Sequence, residues 1–248
     1  MHNLTGKSII VTGSATGIGK ATAIRVAECG ATVATFDVND KDASNTMAAI
    51  KEIRGKARYW HVDVTDANRV KLAVEESVKW FGGRVDVLLH IAGVMKGGYV
   101  DIDEFPDDLW DSVIDINLKG SYLMVKHVTK HMKAQGSGVI VLTSSGAGVL
   151  GGSSSYAYGS SKGGTHGLAM VLDGYLSKCG IRVNDVLPGR VNTPLIQAQL
   201  SSMLKITGDE DAYAQQISEL SSPEGVAEVM AFLASDAATS VRGSIRTI

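Results

Sequence analysis

The sequence predicts an α/β fold: a doubly wound, mostly parallel sheet of about seven strands with helices on both faces. Three observations predict it. Apolar runs of strand length alternate with amphipathic stretches of helix length along the chain. A glycine-rich loop stands at the junction of the first such strand and the first such helix. No repeat, linker or low-complexity stretch divides the 248 residues, so residues 1–248 read as one domain. A chain of that length can hold one sizeable core.

The elements follow in order. Ser8–Thr12, with Ile9, Ile10 and Val11 at its centre, is the first strand, and Gly17–Glu28 a helix that Gly30 ends. Residues 31–36 form a second strand, and 42–53 a helix with Met47, Ile50 and Ile53 at helical spacing. A third strand covers 59–62; a helix over 65–80 sets Val70, Val74 and Val78 on one face. Residues 85–91 make the fourth strand. Residues 107–133 read as one long helix, broken or bent near Asn117. A fifth strand (139–143), a helix (156–178) and a sixth strand (182–187) come next. The stretch 190–222 is polar, rich in Met and Gln, and reads as an irregular lid. Pro223 at a first helical position, with Glu224 beside it, opens a last helix to Leu233.

Composition narrows the function classes. The formal charge is −2, with 44% hydrophobic and 20% charged residues. No broad basic field draws nucleic acid or an anionic membrane. The basic runs at Lys126-His127 and at Lys130, His131 and Lys133 read as a solvated or subunit-facing helix surface. Cys29 and Cys179 stand 150 positions apart without metal-ligand spacing, so no metal site is expected. They read as small packing residues in a reducing compartment. No apolar run nears the roughly 20 residues that span a bilayer. The first strand begins too early to leave room for a signal peptide. The expected location is therefore the cytoplasm.

Sheets of this class bind ligands at the carboxyl ends of their strands, near the switch in strand order. The loop Thr12-Gly13-Ser14-Ala15-Thr16-Gly17-Ile18-Gly19 sits at such an end. Gly13 permits the tight turn, Gly17 lets backbone approach a pyrophosphate, and Gly19 lets helix pack on strand. The N–H groups of the helix start face the phosphates. This is a Rossmann-type dinucleotide site. Asp37 stands 18 residues beyond Gly19, where a carboxylate accepts hydrogen bonds from ribose hydroxyls and repels a 2′-phosphate. Neither the loop nor Val38 offers a cation to receive one, so NAD is expected in preference to NADP. At Asp63-Val64 two readings stay open: Asp63 meets the adenine edge, or it caps the next helix.

Tyr158 and Lys162 lie four residues apart and share one helix face. A free phenol has a pKa of roughly 10, and lowering it by about three units takes about 4 kcal/mol. A lysine cation and an oxidised nicotinamide ring are the expected source. Ser145, 13 residues before Tyr158, follows the fifth strand beside Ser144 and can donate to a substrate oxygen. The competing phenol, Tyr156, has no lysine four residues on.

Together these residues resemble the short-chain dehydrogenase/reductase family, in its single-domain branch. The resemblance rests on the Thr12–Gly19 loop, Asn117, Ser145, Tyr158, Lys162, Pro188-Gly189 and Thr193-Pro194, in that order. It implies Tyr158 as general acid/base, and Lys162 on the nicotinamide ribose. It implies Ser145 on the substrate oxygen and Asn117 holding a relay water. Asn117 also reads as a helix-bend residue whose side chain meets freed carbonyls. Pro188, Gly189, Val191 and Thr193 would meet the nicotinamide carboxamide, and Ala92 and Gly93 would allow close approach to the nucleotide. A dimer or homotetramer is implied.

The chain departs from the family in two places. His90-Ile91 stands where the family has Asn-Asn; His90 is expected to tie neighbouring strands, with a catalytic role as the lesser alternative. Val241-Arg242-Gly243 resembles the approach to a seventh strand, yet the usual ending is missing at Ile248, so a truncated or altered end is expected. Substrate choice should lie in residues 94–99, 146–156 and 190–222. The polar run from Gly151 to Ser155 points to a polyol, sugar or hydroxyketone. Leu195, Ile196, Met203 and Leu204 point instead to a steroid or terpenoid. Reductases of 3-oxoacyl carrier-protein chains often carry arginines where Gly136 and Cys179 stand, which weighs against that activity. The non-enzyme alternative is an NAD-binding regulator; the intact Ser145, Tyr158 and Lys162 argue against it.

Overall fold

Strand β1 (Ser8–Thr12) pairs in parallel with β2 (Thr32–Asp37) on one side and β4 (Val87–His90) on the other. The computed structural model describes residues 2–248. β3 (Lys56–His61), β5 (Gly138–Thr143), β6 (Ile181–Leu187) and β7 (Gly243–Arg246) complete a seven-stranded sheet in the order β3-β2-β1-β4-β5-β6-β7, with every pair parallel. The chain moves outward from β1 to β3 and then returns to β4, so the strand order switches between β1 and β4. A crevice opens at such a switch.

Alternation along the buried strands assigns the two faces. Ile10, Leu88, Ile140 and Leu142 pack with α3 (Ala67–Trp80), α5 (Gly120–Gln135) and α7 (Tyr156–Leu176). Ile9, Val11, Leu89 and Val141 pack with α1 (Gly17–Glu28) and α10 (Pro223–Ala234). α2 (Asp40–Glu52) adds Ile50 to that second face. Each fully buried aliphatic side chain contributes roughly 1.5–3 kcal/mol, so the sheet is a rigid base for the loops at its edge. Among the described residues no helix is long and apolar enough to cross a membrane. Both cysteines are free.

The long helix predicted over 107–133 is two helices, α4 (Asp107–Ile114) and α5, joined by a π turn over Asp115–Lys119. Asn117 sits inside that turn, where the bend was expected. Its freed carbonyl accepts the Ser121 hydroxyl at 2.6 Å and the Thr165 hydroxyl at 3.4 Å. Its side chain does not serve the helix carbonyls, contrary to that reading; neighbouring hydroxyls already do.

Residues 190–222 are not irregular. They hold α8 (Pro194–Thr207) and α9 (Glu210–Ser218). The Thr193 hydroxyl caps α8 by accepting from Ile196 N–H at 3.3 Å, Pro194 takes the first turn, and Gly208 ends it at φ +67°. Met203 is buried and its sulfur accepts from Gln216, so it braces the two helices. A short α6 (Gly146–Val149) follows β5. β7 forms despite the departure from the family ending: its residues pair with Asn184 to Leu187, and Thr247 N–H donates to Leu187 O.

Candidate active site

The carboxyl ends of the strands enclose a cleft of about 1210 Å³. That exceeds the roughly 300–1,000 Å³ of an ordinary small-ligand pocket, as a dinucleotide and a second molecule together require. Gly13, Thr16, Gly17, Ile18 and Gly19 line one end, with Asp37, Asp63 and Val64. Ala92 and Gly93 form the middle. Ser145, Tyr158, Lys162, Pro188, Gly189, Val191 and Thr193 line the other end. Two expected residues do not line it. Ser14 is fully buried, and its hydroxyl donates to Phe36 O at 3.2 Å, tying the loop to β2 instead of facing a phosphate. Asn117 lies behind the wall, 1% exposed.

At the end lined by Gly13, Gly17 and Gly19, the glycine loop is set by close backbone packing. A Cβ on Gly19 would fall 1.9 Å from Gly13 O. One on Gly13, at φ +66°, would fall 2.8 Å from the backbone N and Cα of Ala92. The loops after β1 and β4 thus approach to contact, which only glycine permits. Thr16 caps α1 without a side-chain hydrogen bond, which leaves the first-turn N–H groups for an anion. The Asp37 carboxylate accepts Ala15 N–H at 2.8 Å and Asn39 N–H at 2.9 Å, and keeps lone pairs for hydroxyl donors. Asp63 accepts the N–H and hydroxyl of Thr65 at 2.9 and 2.8 Å. It does not cap α3; Asp66 does, through Asn68 and Arg69 N–H.

Thr12 Oγ1 accepts the N–H groups of Ile91 and Ala92, each at 3.1 Å, and lies 2.8 Å from His90 Nδ1. With both lone pairs used, the hydroxyl donates its proton to Nδ1. His90 therefore carries its hydrogen on Nε2, which is buried without a partner. Burial, with the Lys162 charge adding to it, pulls the imidazole down to about 3, so it is neutral. His90 does tie β1 to β4, as expected, and it does not line the cleft.

At the other end α7 begins on the Ser155 cap, which accepts Tyr158 N–H at 3.3 Å and donates to Lys96 O at 2.6 Å. Lys162 Nζ donates to Thr143 O at 2.7 Å and lies 5.9 Å from the Tyr158 ring centre. Burial pulls the ammonium down to about 8. The Tyr158 phenol is pushed up by burial, with the Ser145 hydroxyl pulling the other way. Desolvation thus outweighs the hydroxyl at Tyr158, and the lowering expected from Lys162 together with an oxidised nicotinamide ring concerns the nucleotide-bound site. Asn117 spans Val94, accepting its N–H at 2.8 Å and donating to its carbonyl at 2.9 Å, and also donates to Ser161 Oγ at 2.9 Å. Gly93 packs between Asn117 Oδ1 and Lys162 Nζ, which a Cβ there would meet at 3.2 and 3.3 Å.

All three segments expected to hold substrate reach the cleft, through Val94, Tyr99, Leu150, Ser153, Leu195 and Ile196. Met203 and Leu204 are not among its lining residues. Gln199 was not foreseen: its Nε2 donates to Ser154 Oγ at 2.8 Å and joins α8 to the 151–155 loop across the opening. Tyr99 was also missed as a strained residue, at φ +66° with its N–H on Ser154 O. No local motif marks either one.

The profile described as short chain dehydrogenase matches residues 7–203. The chain is 39% identical over 239 residues to the cis-4-hydroxycyclohexanecarboxylate dehydrogenase of Sinomonas cyclohexanicum, covering 96% of this chain and 93% of that one. It superposes on an NAD+-bound xylitol dehydrogenase with a TM-score of 0.91 and 30% identity, over 98% of this chain and 97% of the other. An actinorhodin polyketide ketoreductase with NADPH gives a TM-score of 0.91 at 29% identity, over 97% and 95%.

Proposed function

This chain belongs to the short-chain dehydrogenase family, and on that premise we propose that it moves a hydride between a secondary alcohol, or its ketone, and NAD(H). The convergence of Ser145, Tyr158 and Lys162 on one cleft with the glycine cradle carries the reading. Nicotinamide supplies the redox chemistry when bound. Ser145 donates a hydrogen bond to the substrate oxygen. Tyr158 gives that oxygen its proton in reduction and removes it in oxidation. Lys162 holds the nicotinamide ribose, and its charge favours the phenolate. Asn117, across Gly93 from Lys162, holds a relay water. Pro188, Gly189, Val191 and Thr193 hold the carboxamide. Asp37 selects NAD over NADP by taking the ribose hydroxyls.

The substrate is a polyol, sugar or hydroxyketone, for which Ser153 and the glycines beside it leave room. A compact alicyclic alcohol is the second reading, favoured by the apolar wall of Leu150, Leu195 and Ile196. α8 and α9 act as the lid. The protein works as a dimer or tetramer in the cytoplasm: Tyr175 on α7 is 74% exposed beside exposed Val171 and Met170, an apolar stripe suited to a subunit contact. A reducing compartment suits the free cysteines.

The test is NADH formation against xylitol, sugars, hydroxysteroids, cis-4-hydroxycyclohexanecarboxylate and simple secondary alcohols. Tyr158→Phe should lose at least 100-fold in turnover (on the order of a general acid/base contribution) while binding NAD normally. Wild-type turnover by that variant overturns the mechanism.

A further inference from the structure

Asp185 is a fully buried carboxylate on β6 with neither Lys nor Arg as partner. A charge in that position is tolerated only when hydrogen bonds satisfy it. Three donors do so, each from a different element. Ser144 Oγ, just past β5, donates to Oδ2 at 2.5 Å. His166 Nδ1 on α7 meets the same oxygen at 3.1 Å. Ser244 Oγ on β7 donates to Oδ1 at 2.5 Å and lies 3.2 Å from His166 Nδ1. One imidazole N–H shared between Asp185 and Ser244 accounts for both histidine contacts.

The location matters more than the count. Tyr158, Lys162 and His166 follow one another at intervals of four residues and share a face of α7. Ser144 immediately precedes Ser145. A single carboxylate oxygen therefore bonds both the helix face that carries Tyr158 and Lys162 and the strand end that carries Ser145. The Ser144 hydroxyl goes to the carboxylate and not to the imidazole.

We propose that Asp185 is a positioning residue that fixes Ser145 relative to Tyr158 by tying the end of β5 to α7 through Ser144 and His166. The proposal rests on the reading of Ser145 and Tyr158 as the groups that act on the substrate oxygen. Displacement of a reacting group by about 1 Å costs about 100-fold in rate. A tie of this kind therefore shows in kcat and leaves nucleotide binding alone.

The test uses Asp185→Asn, which keeps the shape and replaces an acceptor with a donor. Turnover is measured on the fastest alcohol of the panel above, with NAD affinity and melting temperature recorded alongside. D185N should lower kcat about 10–100-fold, with the NAD dissociation constant within about twofold of wild type. In a Ser145→Ala background the same change should alter kcat by less than about twofold, because residues acting as a unit are not additive. Fully additive effects, or an unchanged kcat in folded D185N, overturn the proposal. Ser144→Ala removes the link to β5, together with the 3.2 Å contact of that hydroxyl to Val186 O, and carries the same test should D185N fail to fold. Crystal structures give an arm independent of activity: Ser145 Oγ unmoved relative to Tyr158 in both variants overturns the tie. Wild-type turnover by S145A has a different meaning, since it removes the functional reading of Ser145 on which the tie is built.

Discussion

Replacing His90 with asparagine should make the protein less sensitive to acid. The imidazole is buried, neutral and held down to about 3, against an ordinary value of 6.5. A depressed folded value means that the unfolded chain binds the proton first as pH falls. Stability from neutral His90 is therefore complete above about pH 6.5 and is lost progressively between 6.5 and 3. At pH 5 the linkage relation gives a loss of about 2 kcal/mol relative to pH 7.5. For a chain of this size that corresponds to roughly 4–8 °C in melting temperature. The assay is thermal unfolding of wild type and His90→Asn at pH 7.5 and pH 5.0. The variant starts lower, because the smaller side chain leaves space beside Thr12. The informative quantity is the fall between the two pH values, in which all other titrating groups cancel. Wild type should fall about 4–8 °C further than H90N; equal falls refute the assignment of a buried, neutral His90.

Lys162 should show a dependence of the same sign in another window. Its folded value of about 8 lies below the ordinary 10.5, so the unfolded chain holds the extra proton between those values and wild-type stability rises with pH there. Lys162→Met should lose turnover and lack that rise; parallel melting curves for both proteins from pH 7.5 to 9.5 would contradict it. The raised Tyr158 phenol makes the two directions diverge: alcohol oxidation should climb with alkaline pH as the base form appears, while ketone reduction should fall. Initial rates in both directions against pH check this, and matching profiles would count against Tyr158 as the proton carrier. Asp37→Ala should weaken NAD at least 10-fold more than NADP (about 1.4 kcal/mol, a charge-assisted hydrogen bond or less); titration of each nucleotide measures it, and an unchanged preference rejects the ribose contact.

Much of the framework was legible because it is local. Strand β1 and helix α1 coincide with their predicted bounds, since three consecutive β-branched aliphatic residues, Ile9 to Val11, and a glycine loop leave little choice. The bend expected near Asn117 is present, and a π turn is its physical form. The helices α8 and α9 were missed although their signals are present. Thr193-Pro194 is a cap followed by a first-turn proline, and Gly208 is a left-handed stop. The polar composition between them outweighed those ends. Ser14 was misplaced for another reason: a loop serine beside a phosphate site and one bonded to Phe36 O look alike in sequence, and only the neighbouring strand distinguishes them. The desolvation of the Tyr158 phenol was not legible, because spacing reveals a lysine one turn away and nothing of how the ring is enclosed.

The departure at His90 shows what the site demands at that position. The backbone that lines the middle of the cleft is Ile91 to Gly93, and Thr12 Oγ1 already holds the first two N–H groups of that stretch. What remains for the residue at position 90 is to accept the Thr12 proton, so that the hydroxyl keeps both lone pairs pointed at the loop. An imidazole nitrogen does this at 2.8 Å as well as an amide oxygen would. The cost is a buried N–H without an acceptor, about 1–3 kcal/mol. Burial of the ring's apolar area offsets part of it. The loop is thus fixed through Thr12, and position 90 tolerates any buried side chain with an acceptor within reach of that hydroxyl. On this reasoning a side chain of similar size without an acceptor, as in His90→Leu, should free the Thr12 hydroxyl to turn away. Nucleotide binding should then weaken more than in H90N, although the core gains an apolar group.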